Sequence, residues 1–270
     1  MPAETAPALW TSVPGTPDPR LRGHVISYTG YSECTPGPLR RLEAATLVVP
    51  MILSLGPAIR VDGVLHRSFV AGVGDGANVT EHDGVQLGIQ VNLTPLGARR
   101  LLGVPMRELT SRVIVFEDLL GRDGVDLIAL LCDEAEWARR FAHIDAALVS
   151  RLAVAAPIAP EVVRAWSVLE ASEGAVAVER LARDVGWSRR HLTARFSEEI
   201  GLAPKTAARV LRFERVSSLL RSGAAGLADA AYACGYADQS HLNREFRALA
   251  GTTPGDYAAR VMPEGRGVAA

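Results

Sequence analysis

LARDVGWSRRHLTARFSEEIGLAP, from Leu181 to Pro204, and AAYACGYADQSHLNREFRALAGTTP, from Ala230 to Pro254, are two copies of one pattern, and they decide how the last third of this 270-residue chain folds. Gly186 and Trp187 recur as Gly235 and Tyr236 at an offset of 49, whereas Leu192, Phe196, Gly201 and Pro204 recur as Leu242, Phe246, Gly251 and Pro254 at an offset of 50. One extra residue therefore sits in the second turn. Ala182 and Ala231 stand one helical turn before the glycine, where two helices cross too closely for a larger side chain. Gly186 and Gly235 end the first helix in a left-handed conformation that glycine adopts without steric cost. Ser188 and Asp238 are placed to cap the next helix by accepting from its free backbone N–H groups. Leu192, Phe196 and Ile200, like Leu242, Phe246 and Ala250, repeat every four residues and give each second helix one apolar face.

The opposite face is then available to a groove. It carries Arg189, Arg190, Thr193 and Ala194 in the first copy and Gln239, Ser240, Asn243, Arg244 and Arg247 in the second. Arginine pairs bidentately with guanine, asparagine or glutamine with adenine, and serine or threonine with base or phosphate. An ordinary solvated helix face would admit glutamate more freely; Glu198, Glu199 and Glu245 fall off this stripe or at its far end. Two helix-turn-helix motifs follow, joined by a helix that begins at Pro204, a good first helical position. Ala207, Val210, Phe213, Val216 and Leu220 keep helical spacing along it, and Gly223 stops it. A rigid connection fixes the two heads relative to one another, and successive major grooves on one face of a duplex lie about 34 Å apart.

Charge follows the same division. The net charge is −1, but residues 1–176 hold 15 Arg against 20 Asp and Glu, while residues 177–260 hold 13 Arg and Lys against 9. The basic part is the candidate for a polyanionic partner, although charge alone would equally suit a solvated helical surface.

From about Val178 to Ala259 the chain resembles the DNA-binding domain of the AraC/XylS family of bacterial transcription regulators. The doubled motif, the LLRSG that ends the linking helix, and GYADQSHLNREFRALAGTTPGDY carry the resemblance, with Val216 standing where the family usually has alanine. It implies double-stranded operator DNA as partner, bound at an asymmetric site, with more base contacts from the first motif than from the second. By position, Arg190, Thr193 and Ala194 would face bases in one groove and Ser240, Asn243 and Arg244 in the next. Ser188, Arg189, Gln239 and Arg247 are expected at phosphates. The resemblance further implies an N-terminal domain that binds a small-molecule effector or supports dimerisation, in a monomer or homodimer with RNA polymerase as a promoter partner. Three cysteines far apart and without metal-ligand spacing suit a reducing cytoplasm, at the nucleoid for a DNA-binding protein, and no cofactor is expected.

The rest of the chain reads as β-rich, for an α+β protein overall. VQLGIQVNL, Val85–Leu93, alternates without a break, as a half-buried strand does. Leu47–Leu55 is a more continuous apolar strand, and Ala58–Val64 and Ser68–Val73 are further strands near the turn-forming Asp62-Gly63. Short strands with tight turns suggest a sandwich or small barrel, whose interior is either an apolar pocket or a packed core. Residues 94–115 look like a short helix and a turn. From Gly124 the pattern is helical, with Leu127, Leu130 and Leu131 leading into an amphipathic run of Trp137, Phe141, Ile144, Leu148 and Leu152, and Glu161–Ser172 adds another helix. The resulting division is a loose arm over 1–19, a β-rich regulatory domain over 20–156, a bridging helix over 157–173, a DNA-binding domain of two helix-turn-helix motifs over 174–260 and a flexible tail over 261–270.

The alternative is an enzyme: a metal-dependent barrel, or a DNA-modifying enzyme that uses the basic domain to reach its substrate. His24, His66, His82 and His143 are scattered, and Glu81 adjoins His82 on one strand, where neighbours face opposite ways. No metal site and no catalytic residue is expected. Cys34 sits in loop-like SECTPGP, whereas Cys132 and Cys234 fall on apolar helix faces and read as core. No apolar run approaches the roughly 20 residues of a membrane span.

Overall fold

The protein is described here by a computed structural model covering residues 9–223, 226–260 and 268–269. The chain opens with β1 (Leu9–Gly15), paired antiparallel along its whole length with β2 (Val25–Cys34). The loose-arm expectation is corrected for these residues; residues 1–8 lie outside those described. Pro14 is tolerated because β1 is an edge strand, and Trp10 anchors it by stacking on Tyr31 at 5.6 Å.

β3 (Leu39–Glu43), β4 (Val49–Ser54), β5 (Ile59–Val61), β6 (Val64–His66), β7 (Phe69–Ala71), β8 (Asn78–His82) and β9 (Val85–Leu93) follow. The run Ala58–Val64 is not one strand. Asp62 and Gly63 both adopt positive φ, 46° and 84°, the conformation of a tight hairpin turn, and β5 folds back on β6. After α1 (Pro95–Leu102), β10 (Val113–Val115) completes a six-stranded sheet in the order β1-β2-β9-β4-β7-β10. Then come α2 (Phe116–Leu120), α3 (Arg122–Asp133) and α4 (Trp137–Val154). The amphipathic pattern from Gly124 to Leu152 is therefore two helices. Glu134 and Glu136 are extended, and the Glu134 carboxylate accepts from Glu136 N at 2.9 Å, closing a turn between them.

Chain alternation positions the interior in an unexpected way. On β9, Ile89, Val91 and Leu93 are wholly buried on the sheet face that the helices cover, while Gln86, Gln90 and Asn92 face the space between the two sheets. Tyr28 of β2 stacks on Phe141 of α4 at 5.9 Å. Gly30 lets α4 approach, since a Cβ there would lie 2.5 Å from the Trp137 ring. The polar edge of the alternating strand is thus turned inward to a cavity.

The C-terminal half is helical: α5 (Pro160–Ala171), α6 (Val178–Asp184), α7 (Arg189–Ile200), α8 (Pro204–Arg221), α9 (Leu227–Ala233), α10 (Gln239–Ala250) and α11 (Pro254–Arg260). β11 (Val268–Ala269) then pairs with Leu42 and Arg41 of β3, extending a five-stranded sheet of order β11-β3-β8-β5-β6. The flexible-tail expectation is corrected there, and residues 261–267 and 270 lie outside the described ones. Among the described residues, no helix is long and apolar enough to cross a membrane.

Candidate nucleic-acid interface and the cavity behind it

Each helix-turn-helix is built by the local chemistry of its turn. Gly186 and Gly235 take φ of 72° and 74°. Ser188 Oγ accepts from His191 N at 3.2 Å, and Asp238 Oδ1 accepts from His241 N at 2.6 Å, so both second helices start on a side-chain cap. Leu192, Phe196, Ile200, Leu242, Phe246 and Ala250 are fully buried. Trp166 of α5 packs on Phe196, and Phe213 of α8 meets the edge of Phe246 at 4.9 Å, with Tyr257 of α11 closing the cluster. Aromatic contacts of this kind hold both heads to fixed supports.

Arg190, Ala194, Ser240 and Arg244 are exposed, and Thr193 and Asn243 are half-buried. Their spacing of three and four residues places each trio on one helical stripe. Arg190, Arg244 and Arg247 have no acidic partner among the described residues. Arg189, by contrast, pairs with Glu179 at 2.8 Å; both are exposed, so the pair is weak enough to exchange for a phosphate. Gln239 is exposed, and Ser188 keeps its hydroxyl proton free to donate while its oxygen caps the helix. His191 is exposed and His241 half-buried against Tyr236. The joining helix has 18 residues, a length of about 27 Å.

The glutamates near these heads are turned to another use. Glu199 is buried and pairs with Arg99 of α1 at 2.7 Å, Glu198 binds Arg195, and Glu245 binds Arg209 of α8 at 2.8 Å. Further contacts cross between the halves. Glu214 of α8 accepts from Thr46 Oγ1 at 2.7 Å and Leu47 N at 3.0 Å. Ala45 N donates to Leu249 O at 2.7 Å, and Thr110 Oγ1 to Gly201 O at 2.7 Å. Sequence reasoning missed all of these, because a single glutamate or threonine carries no periodic signal.

Between the two sheets lies a cavity of about 820 Å³, closed at one end by Phe213, Glu214, Ser217 and Arg221 of α8 and by Tyr257. The size suits a small organic molecule. Of the two interiors that the sequence left open, the structure has a cavity, and charged groups stand among its apolar lining. Glu33 sits at its wall, ion-paired with buried Arg41, and His82 Nε2 lies 3.2 Å away on the other side. Gly84 N donates to His82 Nδ1, so Nε2 carries the ring proton toward Glu33. Burial alone would raise the Glu33 carboxyl, but the hydrogen bonds from His82 and Arg41 outweigh it and hold it at about 2. Glu43, accepting from Thr80 Oγ1 at 3.0 Å, is instead pushed above the ordinary carboxylate value by burial, with Thr80 and Arg41 only partly opposing. Ser217 Oγ is buried with no hydrogen-bond partner among the described residues.

Glu81 points the other way from His82 and pairs with Arg40 at 3.0 Å. Cys34 is the exposed last residue of β2 and so belongs to a strand. Cys132 is also exposed, which corrects its reading as core: it follows buried Leu131 on α3 and points to the solvent side. Cys234 is buried.

Residues 181–260 match the family model described as a helix-turn-helix domain. Over 67 residues the chain is 33% identical to the HTH-type transcriptional regulator YbfI of Bacillus subtilis, a match that covers 25% of this chain and spans 24% of that curated relative's length. Among solved structures, an AraC-type regulator from Chromobacterium violaceum is 29% identical over 37% of this chain and 90% of its own, with a TM-score of 0.35. ToxT of Vibrio cholerae aligns with 93% of this chain and 98% of its own at 12% identity and a TM-score of 0.45.

Proposed function

We propose that this chain, whose residues 181–260 are an AraC-type helix-turn-helix domain, is a sequence-specific transcription regulator that reads operator DNA with α7 and α10 and answers to a small molecule held in its N-terminal cavity. One observation carries the reading: two side-chain-capped helices, joined in the chain through a single linking helix, present exposed Arg190, Arg244 and Arg247 with no acidic partner among the described residues. In this reading Arg190, Thr193, Ala194, Ser240, Asn243 and Arg244 read bases, while Ser188, Arg189, Gln239 and Arg247 hold phosphates. The cavity wall formed by α8 connects the effector site to the reading heads. RNA polymerase is the downstream partner, and the protein works at the nucleoid in the cytoplasm. Selection of bound duplexes from a randomised library tests the function: enrichment of one asymmetric motif supports it, and recovery of unenriched sequence refutes it.

A further inference from the structure

The cavity's chemistry restricts what it can hold. Four carboxylates, Glu33, Glu43, Asp75 and Glu214, line it against two guanidiniums, Arg41 and Arg221. Arg41 is bound to Glu33 and is also the cation acting on Glu43, so one guanidinium serves two carboxylates. Arg221 donates to Tyr257 Oη at 2.9 Å at the far end. Asp75 is paired with Arg209 at 3.5 Å, which leaves three carboxylates to two guanidiniums, and Arg41 is already ion-paired; a carboxylate ligand entering here would still meet excess negative charge. The aromatic surfaces of Trp10, Tyr31, Phe69 and Phe213 suit a flat ring and a positive charge alike. A second, independent observation points to a bound molecule. Ser217 is 1% exposed, its Oγ lacks a hydrogen-bond partner among the described residues, and it lines the same cavity from the linking helix. A buried hydroxyl left unpaired is costly, and a ligand that fills it regains that cost.

We propose that the cavity takes an arylalkyl ammonium compound, its cation at Glu43 and its polar edge on Ser217, so that the ligand bridges the β-sandwich and the linking helix of the DNA-binding domain. The inference rests on the effector reading above. Charge-assisted hydrogen bonds to a buried carboxylate supply the selectivity, and contact with Ser217 places the ligand directly on the element that sets the spacing of the two heads.

The test uses full-length protein and three probes with one ring system: tryptamine, the neutral alcohol tryptophol, and indole-3-propionate, followed by calorimetry and thermal unfolding at millimolar concentration. Tryptamine is expected to bind about tenfold or more tightly than tryptophol, and the acid not at all. Glu43→Gln should erase the preference of amine over alcohol. Ser217→Ala should weaken tryptamine binding without lowering the Tm of the unliganded protein, because the lost hydroxyl had no partner. Tighter binding of the acid, an amine preference that survives Glu43→Gln, or no binding of any probe overturns the inference. Operator binding is measured alongside, with and without each probe: its presence with a failed ligand test removes only this inference, and its absence under every condition removes the functional reading.

Discussion

Glu214, in the middle of the helix that joins the two reading heads, accepts a hydrogen bond from Thr46 Oγ1 at 2.7 Å across 168 residues of chain. The same carboxylate takes the N–H of Leu47, so one side chain clamps the β-sandwich to the linking helix at the cavity's closed end. Replacing it by alanine leaves Thr46 and Leu47 N without their acceptor, at a cost of about 1–3 kcal/mol. Urea unfolding should read that loss, and hydrogen exchange should accelerate at Leu47 before the sheet strands. Unchanged exchange at Leu47 would show that the clamp contributes nothing.

In the proposed reading, base-reading and phosphate-binding roles fall to different residues of the two heads. Arg190→Ala and Arg244→Ala should each cost about 1–3 kcal/mol on the selected operator and relax preference at particular base pairs. Arg189→Ala or Arg247→Ala should weaken binding evenly across sequences and flatten its salt dependence. Quantitative binding to operator variants over a salt series checks both; identical specificity profiles for all four variants would contradict the assignment.

Acid stability should report the buried contacts of Glu33 with Arg41 and His82. Glu33 is held at about 2, against an ordinary value of 4.5, when folded. A lowered carboxyl contributes stability that is complete above its unfolded value and is lost as pH falls from about 4.5 toward 2, on the order of 3 kcal/mol. Glu33→Gln should flatten stability over that window. It should also destabilise the protein near neutrality, because a buried ion pair with Arg41 is broken. Unfolding curves at pH 6 and pH 3, compared between the two proteins, decide it.

Gly174 precedes the first helix-turn-helix with φ of 79°, and a Cβ added there would lie 2.2 Å from Ala208 O. Its own carbonyl accepts from Arg212 Nη1 at 2.9 Å. Gly174→Ala therefore meets left-handed strain of about 1 kcal/mol or more together with a backbone clash on α8. A drop in Tm with loss of operator affinity is expected; a wild-type Tm would contradict the packing described.

The helical half was legible in sequence because its signals are local. Glycine at a left-handed turn, a serine or aspartate cap and a four-residue apolar repeat are each fixed by a few neighbouring residues, and Ser188, Asp238, Leu192 and Phe246 occupy the places that those rules assign. The N-terminal half was legible only as strands. Val85–Leu93 begins and ends where its alternation does, yet alternation does not tell solvent from a cavity, so Gln86, Gln90 and Asn92 gave no hint that they face inward. β1 was hidden by the prolines in and around it, and Ala58–Val64 was read as one strand although its own Asp62-Gly63 is a two-residue turn. Glu33, Arg41 and Ser217 come from β2, β3 and α8, and only the fold brings them to one cavity.

The central claim is that two helices on one rigid linker read adjacent major grooves. Guanine methylation interference on the selected operator, with wild-type protein and with Arg190→Ala and Arg244→Ala, tests it most directly. The account predicts two interfering clusters on one face of the duplex, about one helical turn or 34 Å apart, with Arg190→Ala removing contacts in one cluster and Arg244→Ala in the other. A single cluster, or two clusters that both survive both substitutions, would contradict it.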